Sequence, residues 1–584
     1  MREAWTERRA EVDATGASLR DALAAAGGAP ADAPPAIDAL ADAVRAVVAR
    51  EDREHGGFAA GPSLETPKFP QTPVLRLLQH PALAEVVPEA GAVASRALSA
   101  MVASELHDPV DGGFFRYATR RDWSVPHFER MLTDNAGLVE VALAAGDEVA
   151  AIDAARFLVD VLQLPSGGIA AAQDSESIVD GRRSEGGYYR ATDRAALVPP
   201  ALDAKVVTGW NGHAIAAPAA GARTDPRFVE AARWAADAVL ESNVADDGSL
   251  RRASLDEIRS SAAATLEDYG GLARGLLVLA VMTGEAAYAE KARALADLCL
   301  ADDGIRPPGG GDAVLTAQGM QPTGVPSDGA APSGPSAFAA AALGLWRLGA
   351  GERYRAAAES LVCAAADAAL ASPLAHGAIL EVAVGLAVAP RQIVVVGETD
   401  AALADAARRT TADVVAVVSP AQAQAFAEAG SRCSRARPRR RAKPPPTTAG
   451  PSPAACRRRI PPRWGEGGAA AWCESASNAS RHAGRFRAGE LSSRGQRLRP
   501  RRHFLKETCV YARRSLILQA LSGPSRFAAR RVEICILRCC RDRPPVLGSA
   551  ERFLVDFFLW GRRFLPGAIP TNGWHSCSRP SLPT

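Results

Sequence analysis

Twelve segments of this chain carry apolar residues at three- and four-residue spacing, and glycine-rich loops separate most of them. The segments are 37–50, 74–78, 92–105, 136–145, 149–162, 212–222, 226–241, 272–283, 286–300, 336–348, 352–371 and 377–388. That spacing gathers apolar side chains on one face of a helix, and abundant alanine favours the helical backbone. The loops include Gly56-Gly57-Phe58, Gly112-Gly113, Gly167-Gly168, Gly186-Gly187, residues 304–311 and Ser333-Gly334. No single helix of this kind buries its apolar face alone. A dozen of them in antiparallel pairs predict an all-α fold, an α/α toroid in which successive hairpins close a ring, over residues 1–390.

After Arg391 the pattern changes. Residues 392–397 and 413–418 are β-branched runs on either side of a helical stretch, 401–409, so residues 391–430 predict a short βαβ appendage. One glycine after the first strand is too little for a nucleotide site.

From Ser431 onward no periodicity survives. Residues 431–584 hold 32 Lys/Arg against 8 Asp/Glu, so the net charge of +3 hides an acidic body and a basic tail. Eight of the ten cysteines lie in the tail; only Cys299 and Cys363 precede it. A basic tail can bind nucleic acid. Here only Lys443 and Lys506 are lysine, and the Arg/Pro/Ser/Cys composition is that of GC-rich DNA translated out of frame. Shifting the codons by one base makes Ser431-Arg432-Cys433-Ser434 compatible with Phe-Ala-Leu-Phe, ordinary core sequence. The expectation is a disordered, out-of-frame tail with no nucleic-acid partner. Cys535, Cys539 and Cys540 lack the matching second pair of a metal site. No segment has the roughly 20 uncharged apolar residues of a membrane span. The charged N-terminus lacks a signal-peptide apolar run, which predicts a cytoplasmic protein.

Chemistry concentrates in residues 107–139, where a glycine pair, five aromatics, two histidines and several carboxylates occur together. In a closed ring of hairpins, loops at one end converge. His127, Glu129, Asp134, Asp174, Glu176, Trp210, Asn211, Asp268 and Tyr269 sit in or beside such loops, with Arg116, Tyr117, Trp123 and Asn135 nearby. Indole and phenol faces stack on sugar C–H faces and carboxylates hold hydroxyls, so a small sugar or sugar conjugate is the expected ligand. An epimerase needs bases poised near neutrality; His127 is one candidate, and a second is not evident. A glycosidase needs two carboxylates roughly 5–10 Å apart, from Asp174 and Asp268 or from Glu129 and Asp174. Neither chemistry calls for a metal or cofactor. Each residue also has a structural alternative. His127 could bridge loops, Glu129 could pair with Arg116 or Arg130, Asn211 could tie backbone groups in a buried turn, and Asp268 could cap a helix over a core Tyr269.

The body resembles the thioredoxin-domain-containing proteins of the spermatogenesis-associated protein 20-like family. The resemblance is carried by Gly56-Gly57-Phe58 with Pro67-Lys68-Phe69-Pro70, Gly112-Gly113-Phe114-Phe115-Arg116-Tyr117, and Trp123-Ser124-Val125-Pro126-His127-Phe128-Glu129-Arg130-Met131-Leu132 with Asp134-Asn135-Ala136. It continues through Asp174-Ser175-Glu176-Ser177, Glu185-Gly186-Gly187-Tyr188-Tyr189, Asp203-Ala204-Lys205, Trp210-Asn211-Gly212, Asp268-Tyr269 and Pro332-Ser333-Gly334. The family implies a thioredoxin-like domain followed by an (α/α)6 toroid similar to six-hairpin glycosidases and N-acylglucosamine 2-epimerases. The alternative function it implies is a non-catalytic toroid that binds a ligand or protein while a thioredoxin-like domain does redox work. By that resemblance, this chain is expected to open at the helix that would follow that domain. Thr133 stands where the family has tyrosine, His213 where it has an apolar residue, and Gln173-Asp174-Ser175-Glu176 where it has an acidic-Asp-Ala-Asp pattern.

Overall fold

The computed structural model describes residues 2–26, 29–221, 225–302, 304–309, 317, 325–398 and 402–431, so the basic tail beyond Ser431 lies outside the described residues. All twelve periodic segments contain α-helices. In chain order they are α1 (Ile37–Val48), α2 (Thr72–Leu78), α3 (Ala90–Val102), α4 (Leu132–Ala145), α5 (Glu148–Arg156), α6 (Thr208–Gly221), α7 (Arg227–Ser242), α8 (Leu266–Thr283), α9 (Ala286–Cys299), α10 (Gly334–Arg347), α11 (Glu352–Ala371) and α12 (Gly377–Ala387). Two further helices, Arg2–Glu7 and Arg9–Ala26, precede them.

The even-numbered helices form an inner ring. α2 packs on α4, α4 on α6, α6 on α8, α8 on α10, α10 on α12, and α12 returns to α2. The odd-numbered helices pack outside their neighbours, giving six hairpins, an (α/α)6 toroid. Burial follows. Inner helix α8 buries Leu272, Ala273, Leu276, Leu279 and Ala280, whereas outer helix α7 buries one stripe, Phe228 to Val239.

Small residues let the inner helices close this tightly. A Cβ at Gly212 would overlap the carbonyl of Gly271, and one at Gly270 would overlap the Phe338 backbone. α6, α8 and α10 therefore touch backbone to backbone. Glycine is disfavoured inside helices by about 1 kcal/mol relative to alanine, which this close approach offsets.

Three differences from the sequence expectation matter. First, the inner helices begin earlier than their apolar spacing suggests: α4 at Leu132, α6 at Thr208 and α8 at Leu266. Asp134, Asn135, Trp210, Asn211, Asp268 and Tyr269 are thus in first helical turns rather than in loops. Polar first turns mask the period, because helix N-termini need acceptors for their unpaired N–H groups. Second, the loops are not irregular throughout. Arg130–Met131, Ala172–Gln173 and Leu202–Asp203 form one small antiparallel sheet, and Val206–Val207, Ala253–Leu255 and Ile258–Arg259 another. Third, the segment 149–162 is not one regular helix; past α5 it continues as a π-helical stretch, Phe157–Leu162.

The appendage forms as expected. Strands Gln392–Val396 and Val414–Val418 pair in parallel across the helix Ala402–Arg408, and a further helix, Pro420–Glu428, follows. None of the described helices is long and apolar enough to cross a membrane.

Candidate functional site

The chain runs from each outer helix to the next inner helix through a connection that is long for most pairs, such as residues 103–131 and 163–207. These connections all lie where the inner helices begin, so they build one end of the ring.

At that end three rings stand in a row. Strands Tyr117–Ala118 and Pro126–His127 pair antiparallel, with Tyr117 opposite His127, and Lys68 bridges to Ala118, which carries Phe69 alongside. Tyr117 stacks on Phe69 with centroids 4.7 Å apart and meets the His127 ring at 5.2 Å. Phe69 is 42% exposed. Polar groups surround the row. Arg116 Nη1 donates to Glu129 Oε2 at 2.9 Å; His127 Nδ1 lies 3.2 Å from Glu185 Oε1, and its Nε2 3.8 Å from Glu129 Oε2. Of the residues expected from sequence, Arg116, Tyr117, His127 and Glu129 are therefore brought together. Phe69 and Glu185 join them unexpectedly. Phe69 was visible as part of Pro67-Lys68-Phe69-Pro70, but no local pattern shows that it faces solvent.

Asp134 lies in the first turn of α4, 1% exposed, and its Oδ2 has no hydrogen-bond partner. Burial pushes its pKa up to about 7, with Arg116 pulling it down and Glu129 pushing it up. This carboxyl changes charge near neutrality beneath the same Arg116–Glu129 pair.

Asp174 and Glu176 make contacts within their own hairpin. Asp174 is exposed, and its Oδ1 accepts from the Glu176 backbone N–H at 3.2 Å. Glu176 pairs with Arg183 within a hairpin in which Glu176 stands opposite Glu185. Their hairpin delivers Glu185 to His127, which is the contribution this segment makes to the site.

Other candidates serve the fold. Asn135, Asn211 and Tyr269 each occupy the fourth residue of an inner helix. Asn135 Oδ1 accepts from Phe114 N at 2.7 Å, Asn211 Oδ1 from Ile169 N at 2.9 Å, and the Tyr269 hydroxyl from Leu250 N at 2.9 Å. Each asparagine amide also donates to the carbonyl of that same loop residue. Three hairpins thus use one device to pin a loop to a helix start. The carboxylate of Asp268 has no free oxygen for a substrate. It completes a capping box with Thr265, accepts from Gly209 N at 3.1 Å and holds Arg252 at 2.9 Å. Of the two roles expected for Asp268, catalytic carboxylate or helix cap, these contacts are those of the cap. Trp210 donates to Glu267 at 2.9 Å, and buried Trp123 donates to the His55 carbonyl at 2.9 Å.

Trp123 also roofs a buried ion pair. Lys68 is fully buried, and its Nζ donates to Asp52 at 2.8 Å and to the Arg121 carbonyl at 3.0 Å. Burial alone would raise the Asp52 carboxyl; hydrogen bonds from Lys68 and Arg121 hold it at about 2. Lys68→Met is expected to lower stability by about 3–5 kcal/mol in urea unfolding, because Asp52 keeps its charge and loses a buried partner. A variant as stable as the parent would show that Arg121 alone satisfies Asp52.

The centre of the ring is plugged. Arg76 pairs with Glu140 and, at 2.8 Å, with Glu381; Arg274 holds both oxygens of Glu140 at 2.9 Å. Just inside the loop end, Thr72, Thr133, His213 and Ala330–Pro332 leave a cavity of about 20 Å³, room for a single water. The His213 Nε2 is buried without a partner, and burial, aided by Arg274, brings its pKa down to about 4. Among the described residues no three His, Cys, Asp or Glu side chains gather as metal ligands would.

No family model matches the chain. Spermatogenesis-associated protein 20 of Mus musculus is 36% identical over 152 residues, 24% of this chain and 18% of the relative. The Homo sapiens protein is 36% identical over 151 residues, 24% of this chain and 19% of the relative. The matches thus span under a fifth of these relatives. Among solved structures the chain is similar to a D-mannose isomerase, at 13% identity and TM-score 0.41 over 56% of this chain and 85% of that one. It is also similar to the cellobiose 2-epimerase of Spirochaeta thermophila, at 16% identity and TM-score 0.36 over 61% of this chain and 86% of that one. The chain is thus similar to spermatogenesis-associated protein 20 over about a quarter of its own length.

Proposed function

We propose that the loop end of the toroid binds a small sugar or sugar conjugate and acts on it by side-chain acid/base chemistry. The observation that carries this reading is the row Phe69–Tyr117–His127, whose partly exposed rings stand beside Arg116, Glu129 and Glu185. Ring faces take up the C–H face of a pyranose, and carboxylates and guanidinium take up its hydroxyls. His127, flanked by two carboxylates, is the proton-transferring group that an isomerase or epimerase needs. Asp134 sets the local charge from below. A glycosidase would draw its carboxylate pair from Glu129 and Glu185.

The plugged ring centre favours a second reading, a toroid that binds without turnover. Calorimetric titration of the full chain with aldoses, ketoses and disaccharides, followed by NMR of the same mixtures over hours, tests both. His127→Ala and Glu129→Gln are each expected to weaken binding about ten- to a hundredfold, the worth of a hydrogen bond to a charged group. Saturable binding with no new sugar signals would leave the binding reading standing and remove the catalytic one. Binding indifferent to both substitutions would remove the site.

A further inference from the structure

Opposite the loop end, the C-terminal halves of the inner helices and the βαβ appendage enclose space that the reading above does not use. One cavity of about 500 Å³ lies between α8, α10 and the second appendage strand, with walls that include Leu277, Val281, Leu343 and Val414. A second, of about 620 Å³, adjoins it and shares Arg76, His80, Arg274 and Glu381. Both volumes are in the range of small-molecule sites, roughly 300–1,000 Å³. The loop-end cavity of about 20 Å³ is not.

The arginines of this chamber are all paired, but its hydrogen bonds are not all met. Arg76 and Arg274 are neutralised by Glu140 and Glu381, and Arg347 by Asp413 at 2.7 Å. No arginine is left unpaired for an anionic ligand, and the adjoining cavity adds a further carboxylate, Glu148. Yet the Arg347 Nε–H is buried with no acceptor, and in the adjoining cavity the Gln79 Oε1 is buried with no donor. Unmet groups of this kind each cost about 1–3 kcal/mol. An occupant with one oxygen and an aliphatic body would satisfy the donor and cover the walls.

We propose that this far chamber is a ligand site for an uncharged, mainly aliphatic small molecule whose carbonyl or hydroxyl oxygen accepts from Arg347. The site lies on the side of the Arg76–Glu140–Glu381 plug away from the ring stack, so it is separate from the sugar reading. A ligand here would touch both the inner ring and the appendage.

The probe is camphor, a compact neutral ketone, titrated into the full chain by calorimetry, with camphorsulfonate as its anionic counterpart. Camphor is expected to bind saturably, and camphorsulfonate at least about tenfold more weakly, because the cavity's arginines are already paired. Val281→Phe, which fills the chamber from α8, and Val415→Trp, which fills it from the appendage strand, are each expected to weaken camphor about tenfold or more. Circular dichroism establishes that each variant is folded. If one does not fold, the other carries the test, since they approach from different elements. Arg347→Met should weaken camphor but not its hydrocarbon analogue bornane, since only the oxygen's partner is lost. Absence of saturable camphor binding overturns the proposal. So does camphor binding unchanged in a folded filling variant. Tighter binding of camphorsulfonate overturns the proposed ligand class.

Discussion

Asp134→Asn is expected to raise stability at pH 8 by about 2–4 kcal/mol in urea unfolding, with the difference vanishing at pH 4. In the unfolded chain the carboxyl has the ordinary value of 3.8; in the folded protein burial brings it to about 7. Between those values the folded state binds more protons than the unfolded state, so stability falls as pH rises, by about 1.4 kcal/mol per unit. Some three units give about 4 kcal/mol as an upper figure. The asparagine amide brings N–H groups that also need partners, which lowers the gain. Unfolding curves at pH 4, 6 and 8 measure the effect. Equal midpoints at pH 8 would show that Asp134 finds a partner, such as an ordered water, that relieves it. A chain that keeps a buried, unpaired carboxyl loses stability for it, and such groups cluster at functional sites. Under the sugar reading, the same substitution should remove an inflection near pH 7 from the activity profile.

The architecture was legible because it rests on one repeated signal. Every ring helix has apolar residues at helical spacing, and the β-branched runs at 392–397 and 413–418 announced the change to strands. The helix starts were not legible, since Asp134, Asn211 and Asp268 break the apolar pattern just where α4, α6 and α8 begin. The site was half legible. Arg116, Tyr117, His127 and Glu129 are close in sequence and come together across one small strand pair. Glu185 reaches His127 from 58 residues away, through a hairpin whose register no local pattern specifies. Asp268 had two readings, because a carboxylate three residues after Thr265 is also what a capping box requires. The ring's ionic plug was missed although its signal was present. Arg76, Glu140, Arg274 and Glu381 are lone charges in otherwise apolar stretches of inner helices, such as Thr72-Pro73-Val74-Leu75-Arg76-Leu77-Leu78. A single charge in a helix buried on all sides must meet an opposite charge from another helix.

That plug carries the other large expected effect. Glu140→Gln should destabilise the protein by about 3–5 kcal/mol, the usual result of removing one partner from a buried ion pair. Here Glu140 serves two cations, since Arg274 holds both its oxygens and Arg76 pairs with it as well. Burial alone would raise the Glu140 carboxyl; Arg274 and then Arg76 hold it down at about 2. The sign of its pH dependence follows. Between the unfolded value of 4.5 and about 2, the unfolded state binds more protons, so stability is full above 4.5 and is lost as pH falls toward 2. His213 adds an earlier loss. It takes a proton at 6.5 when unfolded but only at about 4 when folded, so stability declines by about 3 kcal/mol as pH falls across that window. Asp134 opposes this earlier loss, since it gains stability as pH falls over nearly the same window, so the two acid stages are expected in an Asp134→Asn background. Glu140→Gln should abolish the lower one, and His213→Leu the upper one, while relieving the unpaired Nε2 at neutral pH. Replacing Arg76, Glu140 and Arg274 together by Met, Leu and Met should be far milder than Glu140→Gln alone, because the one charge then left without its partner, Glu381, is only partly buried. Should the triple variant prove the less stable, the plug would be holding the ring in register as well as neutralising itself. The inner helices would then depend on these charges for the alignment that their alanine and glycine contacts leave loosely specified.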